Sequence, residues 1–175
     1  MPLGSTAIDV EGRLRFTFDA RWTAFKWDDA AEFRQGLRKH AGTEAVDIIA
    51  ALDGRQLWLI EVKDPRGHRI KFKEKASQLD SVVAAKARDT LAGAIWSIKR
   101  HGNGRVEKLL RILLGKSDKV GIVLWWEGID KPMVSPSCVE IERLLKWMNP
   151  KVMVTSRELF GAKEQRILQG MEVSS

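Results

Sequence analysis

Two strongly β-like runs, Glu44 to Leu52 and Arg55 to Lys63, flank the dipeptide Asp53-Gly54, and no other stretch restricts the fold of this chain so tightly. Asp-Gly between two such runs is a strong hairpin signal, because both residues tolerate the left-handed backbone that a tight, correctly twisted turn requires. A long helical stripe follows. Leu79, Val82, Val83, Ala87, Leu91, Ala94, Ile95 and Ile98 keep the spacing of one helix face. Lys119 to Trp126 is then a nearly continuous apolar run, the pattern of a strand buried on both faces.

Other elements surround this centre. Ile8 to Phe18 alternates about Glu11-Gly12, which predicts an N-terminal hairpin extension within residues 1–20. Asp28 to about His40 has helical spacing, acidic residues in its first turn and Arg38, Lys39 and His40 in its last, with Gly42 as the stop. A short strand near Arg69 to Phe72 and an amphipathic helix from Val106 to Leu114 are expected next. Ser135-Pro136, with a capping box from Ser137 to Glu140, predicts a helix that reaches Met148. Lys151 to Thr155 reads as a last strand, and Thr155 to Glu158 as the cap of a terminal helix. The order predicts an α/β (α+β) fold, a mixed central β-sheet flanked by helices. Without repeats or a linker, residues 1–175 read as one domain.

Composition agrees with a folded chain. At 175 residues with 44% hydrophobic and 30% charged residues, a core can form without disulfides or structural metals, and wholesale disorder is excluded. The lone Cys138 cannot form an internal disulfide, and three histidines supply no zinc-type cluster. No run has a signal-peptide pattern or the roughly 18 apolar residues of a membrane span, so the expected location is cytoplasmic, with no membrane partner. A net charge of +7 favours phosphate-rich partners. The densest basic stretch is Lys63, Arg66, His68, Arg69, Lys71, Lys73 and Lys75; taken alone it reads as a solvated face.

Position changes that reading. Glu61 alone among the carboxylates has a lysine two places later, and Glu61-Val62-Lys63 ends the most β-like run. Residues two apart in a strand share a face, so Glu61 and Lys63 project together while Trp58, Ile60 and Val62 point the other way. Asp47 lies in the preceding run between Val46 and Ile48, where an uncompensated carboxylate is costly. A divalent cation held jointly with Glu61 would compensate it. A two-residue turn at Asp53-Gly54 would set Asp47 and Glu61 on opposite faces; a three-residue loop or a bulge sets them on the same face, and this second register is the one predicted.

Asp47 in one strand, then Glu61-x-Lys63 ending the next, after a helix and before a long one, resembles the PD-(D/E)xK superfamily of restriction-endonuclease-like nucleases. The resemblance covers roughly Asp28 to Ile98, with Lys119 to Trp126 as a later core strand, and Val46 stands where the family often has proline. It implies a restriction-endonuclease-like core and a magnesium or manganese ion held by Asp47, Glu61 and the Val62 carbonyl. Lys63 would position or deprotonate the attacking water. A glutamate on the first helix reaches the site in many members; Glu32 is the best placed, with Asp28 and Asp29 as alternatives. Gln78 matches a glutamine found in one branch, but Val82 replaces its tyrosine. The basic residues Arg66, His68, Arg69, Lys71 and Lys73, extended by Lys86 and Arg88, would then hold phosphates beside the cut.

The function expected is therefore metal-dependent endonucleolytic hydrolysis of DNA, ahead of RNA, in defence against foreign (including viral) DNA or in repair. The chain would act alone, as a homodimer or within a larger protein complex. A weak or inactive nuclease-fold module that binds nucleic acid or a protein is the alternative. A third reading is a phosphate-ligand-binding protein in which Glu61 and Lys63 form a surface ion pair and Asp47 bonds to backbone. Gly115-Lys116-Ser117 lacks the upstream glycine of a phosphate-binding loop and reads as a helix-terminating turn. Cys138 reads as a structural thiol, and His68 and His101 as surface histidines.

Overall fold

The computed structural model describes residues 4–30, 33–34, 43–67, 77–101, 104–113 and 120–175. Their order is β1 (Thr6–Val10), β2 (Leu14–Phe18), β3 (Trp22–Lys26), β4 (Ile48–Leu52), β5 (Gln56–Lys63), α1 (Leu79–His101), α2 (Gly104–Leu113), β6 (Val120–Trp126), α3 (Lys131–Leu144), β7 (Lys151–Thr155), α4 (Ala162–Ile167) and β8 (Met171–Ser174). The fold is α+β. A mixed five-stranded sheet runs β3-β4-β5-β6-β7, antiparallel through β3, β4 and β5 and parallel from β5 to β7.

The two faces of this sheet are covered differently. Leu57, Leu59, Ile122 and Leu124 pack with Val83, Ala87 and Leu91 of α1, Leu109 of α2 and Ile141 of α3. On the other face Trp58, Ile60, Val62, Val123 and Trp125 meet Phe16 and Phe18 and the rest of a three-stranded sheet, β1-β2-β8. Burial on both faces explains why β6 reads as an unbroken apolar run. The N-terminal hairpin is thus built into a core, paired through β2 with β8. Beneath it Trp58 lies over Gly121, where a Cβ would strike the indole ring.

Several boundaries differ from those the sequence predicted. Asp47 stands one residue before β4 rather than within it. The edge strand β3 and the final strand β8 were not anticipated: Trp22–Lys26 shows little alternation, and Met171–Ser174 is only four residues long. Helix α3 opens at Lys131, not Ser137: Pro132 stands in its first turn, where the missing N–H costs no intrahelical bond, and Pro136 lies inside the helix. The terminal helix is capped at Gly161 by Glu164, not by Thr155. Ile95, expected on the buried stripe of α1, is 50% exposed. Of the helix predicted from Asp28 to His40, residues 33–34 are described as helical; the predicted strand Arg69 to Phe72 and Gly115-Lys116-Ser117 lie outside the described residues.

Candidate functional site

The hairpin loop fixes the geometry. Asp53 and Gly54 both take left-handed backbone angles, φ 52° and 62°, and a three-residue loop sets Leu52 opposite Gln56 and Ile48 opposite Ile60. One step further the same register brings Asp47 opposite Glu61 on the helix-covered face. Asp47 is fixed through its backbone. Trp27 N–H donates to the Asp47 carbonyl at 2.8 Å, and the preceding residue is tied to α1, where Val46 N–H donates to Oγ1 of Thr90 at 3.0 Å. Its side chain is fixed as well, because Val62 N–H donates to Asp47 Oδ2 at 2.7 Å.

Glu61 is fully buried, so it is not part of a surface ion pair. The Nζ of Lys63 lies 2.6 Å from its Oε1 and the Nζ of Lys86, arriving from α1, lies 2.9 Å from the same oxygen. Its Oε2 is buried and has no hydrogen-bond partner. Lys86 also stands 3.9 Å from Oε2 of Glu44.

Burial, reinforced by the charge of Glu61, pushes the Asp47 carboxyl up to about 7, against the opposing pull of Val62 N–H, Lys63 and Lys86. For Lys63 burial disfavours the ammonium, but Glu61 and Asp47 outweigh it and hold the group above its ordinary value. Lys63 is therefore a cation here. A bare buried carboxylate oxygen beside a second, partly protonated carboxylate fits a hard divalent cation, which takes oxygen ligands and displaces protons from them. Asp47, Glu61 and the carbonyl of Val62 between them are the residues that would hold it. Among the described residues no third acidic, histidine or cysteine side chain completes a cluster.

Glu32, predicted as an additional ligand, lies outside the described residues, as do His68, Arg69, Lys71 and Lys73. Asp28, one of the two alternatives to Glu32, has its Oδ1 buried without a partner; burial raises its carboxyl, and Lys26 and Lys86 act on it electrostatically. Arg66 is held by Asp64 through a bidentate pair at 2.7 and 2.6 Å. Lys86 does not join an exposed basic track; its side chain is 15% exposed and turned toward Glu61. The signal was available in the sequence. Leu79, Val83, Lys86, Thr90 and Ala94 follow one another at helical spacing, which sets a lysine within the buried stripe.

Over 123 residues, 64% of this chain, the sequence is 36% identical to a cysteine–tRNA ligase of Neisseria meningitidis serogroup A, and the match covers 17% of that protein. This chain thus spans about a sixth of its curated relative's length. No family model matches the chain, and no solved structure does. No helix among the described residues is long and apolar enough to cross a membrane.

Proposed function

We propose that this chain is a cytoplasmic, metal-dependent nuclease that hydrolyses phosphodiester bonds of DNA, with Asp47, Glu61 and Lys63 at its active site. One observation carries the reading: Asp47, one residue before β4, and Glu61, on β5, are buried on the same side of the sheet, and the Lys63 ammonium sits on Glu61. A magnesium or manganese ion bound there supplies Lewis-acid activation of water and neutralises charge on the phosphate. Asp47 and Glu61 are held in place because backbone N–H groups of Trp27 and Val62 anchor Asp47 and two lysines anchor Glu61. Lys63, held as a cation by its carboxylate neighbours, positions the attacking water and stabilises the charge that develops on the phosphate. The PD-(D/E)xK resemblance implies a role in defence against foreign DNA or in repair, and a homodimer where both strands are cut.

A second reading, a nuclease-fold module that binds nucleic acid or a protein partner without cutting, has one observation in its favour: two ammonium groups already balance Glu61. The similarity to a ligase named for transfer RNA keeps RNA among the substrates to be tried. The test is incubation of the purified protein with plasmid, linear duplex DNA, single-stranded DNA and RNA in magnesium or manganese. Cleavage that a chelator stops supports the nuclease. Salt-sensitive binding without cleavage on every substrate supports the module.

A further inference from the structure

Two lysines on one oxygen of a buried carboxylate are one more than charge balance with Glu61 requires. Lys63 lies at the end of β5 and Lys86 lies on α1, so they approach Oε1 of Glu61 from different elements, at 2.6 and 2.9 Å. Lys86 is the more enclosed of the two, 15% exposed against 22%, and it has a second carboxylate, Glu44, at 3.9 Å. Neither lysine touches Oε2, which is buried and bare. If Lys63 is to turn toward a phosphate or a water, Glu61 would otherwise lose its counter-charge in a buried site, which is strongly unfavourable.

We propose that Lys86 is a positioning residue: it holds Oε1 of Glu61 from the helix side, so that Oε2 stays presented and Lys63 is free to leave Glu61 for the substrate. The inference rests on the nuclease reading given above. Lys86 acts through Glu61 and makes no contact with nucleic acid. This is a different role from a phosphate contact in a basic track, and the two roles give different kinetics.

The experiment compares wild type, Lys86→Met and Lys86→Arg on the DNA substrate that wild type cleaves, together with melting curves of Lys86→Met, Glu61→Gln and the double variant. Loss of a residue that supports a metal ligand lowers kcat about 10- to 100-fold. Expected with it are an unchanged KM for DNA, an unchanged salt dependence of DNA binding and partial recovery in Lys86→Arg. Lys86→Met should lower the melting temperature by on the order of 5 °C, and by much less in the Glu61→Gln background, because the stranded charge is then gone. A raised KM with a shallower salt slope and an unchanged kcat would overturn the proposal in favour of a phosphate contact. So would additive melting shifts. If wild type cleaves nothing, the nuclease reading fails, and the melting cycle alone still decides whether Lys86 holds Glu61.

Discussion

The backbone N–H of Val62 donates to the carboxylate of Asp47 at 2.7 Å, an interaction between the residue that follows Glu61 and the residue opposite it. At this point the ladder between β4 and β5 exchanges backbone pairing for side-chain capture. Asp47 therefore cannot rotate away from Glu61 without leaving a buried N–H unsatisfied, at a cost of about 1–3 kcal/mol. The carboxylate pair is held together by the sheet itself, before any ligand arrives.

Holding it together has a price in stability that depends on pH. The Asp47 carboxyl is pushed from 3.8 to about 7 by burial and by Glu61, so between those values the folded chain binds a proton that the unfolded chain releases. This contribution to stability is fully present below the unfolded value and is lost as pH rises through about 7. Asp47→Asn keeps an acceptor for Val62 N–H and removes the charge. Above pH 8 it should be more stable than wild type by on the order of 4 kcal/mol, with the advantage gone near pH 4. Urea unfolding of both proteins across this range measures it; a difference independent of pH would refute the assignment.

A divalent cation should reverse that balance. Ligand that binds only the folded state stabilises by about 2.7 kcal/mol at a hundred times its Kd. Manganese or magnesium should therefore raise the melting temperature of wild type, more at pH 8 than at pH 6, since Asp47 must give up its proton. Glu61→Gln should show no such rise. Differential scanning calorimetry with and without chelator reads both effects, and an equal rise in Glu61→Gln would place the cation elsewhere.

Gly121 offers a test of the fold independent of chemistry. It pairs with Trp58, whose ring occupies the space of a Cβ there, and Trp58 is itself 2% exposed. Gly121→Ala should lose about 3 kcal/mol by overpacking a centre that cannot yield. Adding Trp58→Leu should recover part of the loss, because the smaller side chain vacates the space. Unchanged stability in Gly121→Ala would mean that the ring does not lie over the glycine.

What the sequence disclosed followed from periodicity and local turn chemistry. The hairpin about Asp53-Gly54, the long helix and the doubly buried strand β6 were legible, because the apolar spacing of each is set by the faces it buries. The register set by a three-residue loop was legible because a two-residue turn would bury Asp47 on the face away from Glu61. Strand β3 was not: its backbone pairs with β4 while Phe25 and Lys26 stay partly exposed, so tertiary pairing rather than side-chain pattern defines it. The inward turn of Lys86 escaped notice because a lysine on a helix is ordinarily solvated, and only the buried residues above and below it in the stripe mark the exception. Asp28 was one of three acidic alternatives, and nothing local distinguishes it; its burial comes from the packing around it.

The central claim is that Asp47, Glu61 and Lys63 act as one cleavage site. Single-turnover cleavage of the best DNA substrate in manganese, by wild type, Lys63→Ala and Glu61→Gln purified identically, tests it most directly. The account predicts chelator-sensitive cutting by wild type and a loss of at least about a hundredfold in each variant, the scale on which removal of one charge-stabilising group slows a reaction. Cutting by either variant at the wild-type rate would contradict it.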